Sequence, residues 1–350
     1  MKYSFPLLLS FLALSCFGQS DEFVTSERSF DRSLLTSLED RIADETFKQI
    51  TSVVVLYEGQ LLYEQYFNGA NQATKHDPRS ATKTIASAVM GIALEDGHLQ
   101  STEQTLDEFY TLSDYQNPSP LKEKVSLENL LTMSSGFDGF DFEPESIGNE
   151  ENMYPQDNWV EWTLNLPMVG RDPGSEWAYF TAGVVLLGDI LDQQVPGGLE
   201  AYTERKLFGP LGIEDYRWQQ TPQGVGNTAG GLGMRARDLA KFGQLYQNGG
   251  RWQGQQVLPQ SWVSESLRQH FVLPFDGLSY GYLFWHKSYQ VGENTYPVFA
   301  CSGNGGNKVF VFTEIPVVIV VTARAYNQSY MHRQVDEMMD QYILPAILKE

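Results

Sequence analysis

The chain has 350 residues, with 44 Asp and Glu against 24 Lys and Arg, for a formal net charge of −20. A surface that acidic repels nucleic acid and anionic membrane, so neither is expected as a partner. Hydrophobic residues at 42% and aromatics at 13% suffice for a sizeable core.

The first residues read MKYSFPLLLSFLALSCFGQSDE: one lysine, a short apolar run, small residues, then acids. This is the pattern of a secretory signal peptide. It is read as residues 1–18, cleaved after Gly18, which places residues 19–350 in the periplasm or outside the cell. The run falls short of the ~20 apolar residues of a transmembrane helix, so no integral span is expected once it is removed. Cys16 leaves a second reading open, a lipoprotein anchor. If Cys16 departs with the leader, Cys301 is the one cysteine left and no intramolecular disulfide is possible.

Residues 31–49 have the period of an amphipathic helix. Two β-rich runs follow, 52–56 and 61–67, joined by a turn at 57–60 as in a hairpin. PRSATKTIASAVMGIALEDG (78–97) is a helix apolar nearly all round, ended by Asp96-Gly97. From 101 to about 270 the chain is loop-rich and helical, in short segments that mostly stop at Gly or Pro. Strand patterns return at 280–286, 308–314 and 317–323, and an amphipathic helix closes the chain. Strands at both chain ends with helices between them predict an α+β fold. One antiparallel sheet is built from both ends with flanking helices (about 30–100 and 275–350), and a mostly helical lobe (about 101–274) completes a single domain. The cleft between the lobes is the expected site.

Ser80 and Lys83 lie three apart at the mouth of the 78–97 helix, hence on one face. Desolvation disfavours an ammonium, and a neutral amine beside a hydroxyl can take its proton. The helix N-terminus stabilises negative charge developing there. That is the arrangement of an activated nucleophile. The plain alternative is a capping serine with a lysine that reaches solvent.

SATKTIASAVMGIALEDG resembles the Ser-x-x-Lys helix of the penicillin-recognising serine hydrolases, which include β-lactamases, D-alanyl-D-alanine carboxypeptidases and related esterases and amidases. LENLLTMSSGF (127–137), PGSEWAYFTAGVVLLGDIL (173–191) and FACSGNGGNKVFVF (299–312) resemble further elements of the class C β-lactamase-related branch, in its order. AGGLGMRARDLAKFG (229–243) marks the same branch on its esterase and 6-aminohexanoate-dimer hydrolase side; no chemistry is assigned to it beyond helix and turn. The resemblance implies a β-lactamase/transpeptidase-like fold. It makes Ser80 the nucleophile and Tyr179 the base or proton shuttle. Thr181 then stands where the branch has Asn or Ser, as a contact to substrate or Lys83. The N–H groups of Ser80 and Asn304 form the oxyanion hole, beside Ser302 and Gly303. Where the branch carries a cation or imidazole that holds a substrate carboxylate, this chain has Cys301.

The expected activity is therefore a serine hydrolase cleaving a small ester, amide or peptide-like substrate through an acyl-enzyme on Ser80. A β-lactamase or D-alanyl-D-alanine carboxypeptidase is the alternative within enzymes. A slowly acylating sensor or an inactive binding relative is the alternative outside them. No H-E-x-x-H, C-x-x-C or phosphate loop is present, so no metal or cofactor is expected. The acidic, aromatic stretch 136–146 is read as lining or covering the cleft. Trp159, Trp162 and Trp177 are read as candidates for an apolar pocket, and His76 and His98 as surface residues. Oligomeric state is not legible.

Overall fold

The computed structural model describes residues 23–275 and 277–348; the leader and Cys16 lie outside them. Its centre is an eight-stranded antiparallel sheet assembled from both chain ends. The strand Ile50–Tyr57 pairs with the hairpin partner Gln60–Tyr66 on one side and with Val317–Ala323 on the other. Asn307–Val311, Asn294–Gly303, Trp285–Val291 and the short strands Ser279–Tyr280 and Phe271–Val272 continue it. All seven residues of Val317–Ala323 are buried. That is why the run is apolar without alternation: both sheet faces are covered.

On one face Val53, Val55, Ile319 and Phe310 pack with the helix Arg32–Ala43 and with the helical C-terminal end. On the other, Val54, Val318, Val320 and Val309 join the larger core that holds the remaining helices. Each buried aliphatic side chain contributes about 1.5–3 kcal/mol. The helix Ala236–Gln247, which chain position assigns to the helical lobe, lies on this sheet face. A Cβ on Gly243 would fall 2.7 Å from Val309 and Val318, so the missing side chain lets helix and sheet meet.

Some elements depart from expectation for local reasons. The first helix stops at Ala43, not at 49, because Asp44 turns its carboxylate onto the Thr46 N–H and Glu45 is left-handed. The 280–286 run is broken: Gly281 donates to the Phe284 carbonyl, Leu283 has φ 67°, and the strand resumes at Trp285. His76 is buried, not exposed, against Thr51, and burial pushes it down to about 4. Among the described residues no helix is long and apolar enough to cross a membrane.

Candidate active site

Ser80 sits in a 3₁₀ turn, Arg79–Thr82, that leads directly into the α-helix Lys83–Glu95. Arg79 has φ 52°. A non-glycine residue held there costs on the order of 1–3 kcal/mol. Asp77 holds it in place by accepting its N–H at 2.9 Å, while Tyr326 lies under its guanidinium. Lys83 through Ala93 are all buried. The Lys83 side chain, 1% exposed, donates to Ser80 Oγ at 2.9 Å and to the Ala229 carbonyl at 2.9 Å. The 229–243 stretch therefore does carry a site function. Asn227 Oδ1 accepts the Ala229 N–H and sets the turn that presents this carbonyl. Gly230 runs beside the Arg79 carbonyl, and Gly231, at φ 75°, turns the backbone against Gln219.

Tyr179 is brought to the pair from the helical side. Its ring centroid is 5.2 Å from Lys83 Nζ, and it is 6% exposed. Burial holds its phenol above the ordinary 10, against the pull of Lys83 and of a hydrogen bond with Ser80. Desolvation outweighs the amine, so the base or proton shuttle expected at Tyr179 is a phenol and not a ready phenolate. Two segments grip this residue. Met133, itself at φ 57°, accepts the Ala178 N–H on its carbonyl and the Phe180 N–H on its sulfur. Asp141 donates its N–H to the Tyr179 carbonyl and accepts the Thr181 N–H at 2.7 Å. The 127–137 stretch is therefore a positioning element for Tyr179, which sequence reading alone did not reveal.

Two predicted contacts are not made. Thr181 is fully buried at the start of the helix Thr181–Gln194, and its hydroxyl makes no geometric hydrogen bond among the described residues. It serves the site through Asp141, which accepts its N–H and feels its side chain. Ser302 faces away from the cleft: it pairs across the sheet with Lys308, whose ammonium donates to its hydroxyl at 2.5 Å. The reason is strand alternation. Cys301 and Gly303 share the nucleophile's face, and Ser302 takes the other. Gly303 lies so close to the turn that a Cβ there would be 1.8 Å from the Pro78 carbonyl. Cys301 is buried, and burial pushes its thiol up to about 12.

A pocket of about 300 Å³ opens beside Ser80, walled by Asn304, Glu150, Tyr154, Trp159 and Tyr326. Asn304 locks its side chain to Asn327, accepting that residue's N–H at 2.8 Å, while its carbonyl accepts from the Asn307 side chain at 2.8 Å. An aromatic shelf surrounds the Tyr179 ring. Phe142 stacks on the Tyr179 ring at 5.2 Å with 6° between planes, and Trp177, Trp285 and Phe275 close around them. The tryptophan trio is thus split: Trp177 joins the shelf, Trp159 the pocket, and Trp162 a separate polar groove with Asn117 and Asn158. Among the described residues, one group elsewhere brings ligand atoms together as a metal site would, Glu128, Glu265 and His270. Arg268 already bonds Glu265 at 2.5 Å and supplies the positive charge there.

The profile of the family described as Beta-lactamase matches residues 38–340. Among curated proteins, a 6-aminohexanoate-dimer hydrolase from Paenarthrobacter ureafaciens is 25% identical over 252 residues, 67% of this chain and 60% of the relative. A lovastatin esterase from Penicillium rubens is 29% identical over 153 residues, 39% of this chain and 37% of the relative. The matched stretch spans less than two thirds of the length of either. Among solved structures, the octameric penicillin-binding protein homologue from Pyrococcus abyssi superposes with a TM-score of 0.67 at 19% identity, over 88% of this chain and 76% of that one. With the profile matched over most of its length and the fold shared, the chain belongs to the beta-lactamase family.

Proposed function

We propose that the protein is a serine hydrolase that cleaves an ester or amide through an acyl-enzyme on Ser80. The observation that carries this reading is the buried Lys83 amine at 2.9 Å from Ser80 Oγ, with Tyr179 over both. Ser80 Oγ attacks the carbonyl carbon, and its proton passes into the Lys83–Tyr179 pair. The N–H groups of Ser80 and Asn304 face the developing oxyanion; donors so placed contribute on the order of 3 kcal/mol each. The carbonyl–leaving-group bond breaks, and the proton held by the pair goes to the departing oxygen or nitrogen. Water then attacks the acyl carbon, the pair takes its proton, and that proton returns to Ser80 as the acid leaves.

The aromatic shelf favours a substrate with an apolar or aryl portion. The buried neutral thiol of Cys301 is no partner for a substrate carboxylate, which favours a neutral ester or amide over a penicillin. Activity on small esters and amides is supported by the names of the two curated relatives. Export by the leader at 1–18 belongs to the same proposal. The test is a panel: p-nitrophenyl acetate and butyrate against nitrocefin. Turnover of the esters at a kcat/KM at least ten times that for nitrocefin is the expected result, about 1.4 kcal/mol of transition-state preference. The reverse ranking would favour the β-lactamase alternative.

A further inference from the structure

Asp141 stands at the centre of the contacts that hold Tyr179, and sequence reading did not single it out. Its backbone N–H bonds the Tyr179 carbonyl at 2.9 Å. One carboxylate oxygen accepts the Thr181 N–H at 2.7 Å, and the other accepts the Glu150 N–H at 2.9 Å. The next residue, Phe142, stacks on the Tyr179 ring. One dipeptide therefore fixes the carbonyl of Tyr179, the amide two residues on, and the plane of its ring. The Thr181 N–H is also the first of its helix, where a negative charge is favoured.

We propose that Asp141 is a positioning residue for the hydrolysis assigned to Ser80: its ionised carboxylate clamps the 179–181 backbone so that the phenol meets the Ser80–Lys83 pair. This inference rests on the Ser80 reading.

The groups that face Asp141 pull in opposite directions. Burial and the Glu150 carboxylate raise its carboxyl; the Thr181 side chain and N–H, and Lys83 whenever it carries a proton, lower it; the balance leaves it at about 6. The Tyr179 and Tyr154 phenols also feel its charge. A folded-state value above the ordinary 3.8 means that the fold binds this proton more tightly than the unfolded chain does. The stabilisation is present in acid and is lost as pH rises through about 6. At neutral pH the carboxylate is therefore kept at a cost to the fold, which is the pattern of a group retained for its charge beside a reacting site.

The experiment compares wild type and Asp141→Asn on p-nitrophenyl butyrate from pH 4.5 to 8, with thermal midpoints across the same range. The amide keeps one acceptor for two N–H groups and has no proton to gain. Wild-type kcat/KM should fall below about pH 6. Asp141→Asn should be reduced about 10- to 100-fold at pH 7.5, the scale of a misplaced reacting group, and should lack that acid limb. Its thermal midpoint relative to wild type should be higher at pH 7.5 than at pH 4.5. A purely structural carboxylate would lower stability without moving the pH limb. An unchanged limb in the variant, or full activity at pH 7.5, overturns the proposal. A wild-type profile flat between pH 5 and 7 overturns it whatever the variant does. Ser80→Ala in the same assay separates the two levels. If it remains active, the Ser80 reading fails; if it is inactive beside a fully active Asp141→Asn, the Asp141 inference alone fails.

Discussion

Replacing Lys83 with Met should lower kcat/KM for p-nitrophenyl butyrate about 10³-fold, the middle of the range for losing a positioned proton acceptor. Lys83 is the one side chain that touches Ser80 Oγ and reaches the Ala229 carbonyl at once. Met conserves the stem and removes the amine, leaving the hydroxyl with no acceptor for its proton. Lys83 itself is 1% exposed, so bulk water does not occupy the position of its amine. The core around the stem is retained, and the variant should keep a cooperative thermal transition. The losses from Lys83→Met and Ser80→Ala should not add, because the two groups act as one unit. Steady-state kinetics on the two single variants and the double variant check this. A Lys83→Met enzyme within tenfold of wild type would remove the amine from the mechanism.

Tyr179→Phe should show a loss that depends on the leaving group. Burial keeps the phenol protonated at neutral pH, so its hydroxyl serves as a donor and relay, not as a standing phenolate. A p-nitrophenolate leaves without help, whereas an alkoxide or amine must be protonated as it departs. The variant should therefore lose about 10-fold on p-nitrophenyl butyrate and about 10³-fold on the ethyl ester or an amide of the same acid, within the span of general acid catalysis. Phe fills the same stack between Phe142 and Trp285, so folding is preserved. Parallel assays on the aryl and alkyl esters read the difference directly. An equal loss on both would make Tyr179 the acceptor of the Ser80 proton instead.

The parts legible in the sequence were those with a short-range signal. The Ser80–Lys83 spacing sets a shared helical face, and the β-branched runs at the two chain ends announce the strands that pair as Val53 with Val321. The glycines of the 299–312 motif make the turn of a hairpin, with Gly305 and Gly306 at φ near 88°. What sequence did not show was set by tertiary contact. Asp141 reaches Thr181 across 40 positions and Lys83 meets Ala229 across 146; no local pattern encodes either. Ser302 misled because a motif match names a strand position without its face, and a single step along a strand reverses the side chain. Thr181 misled in the same way: the motif position was right, while the hydroxyl turned into the core.

Peptide-level mass spectrometry of enzyme quenched in acid during turnover of p-nitrophenyl butyrate tests the Ser80 acyl-enzyme most directly. The expected result is a butyryl increment confined to the peptide that carries Ser80, absent from Ser80→Ala. An adduct on another residue, or sustained ester turnover by Ser80→Ala with no adduct at all, would contradict it.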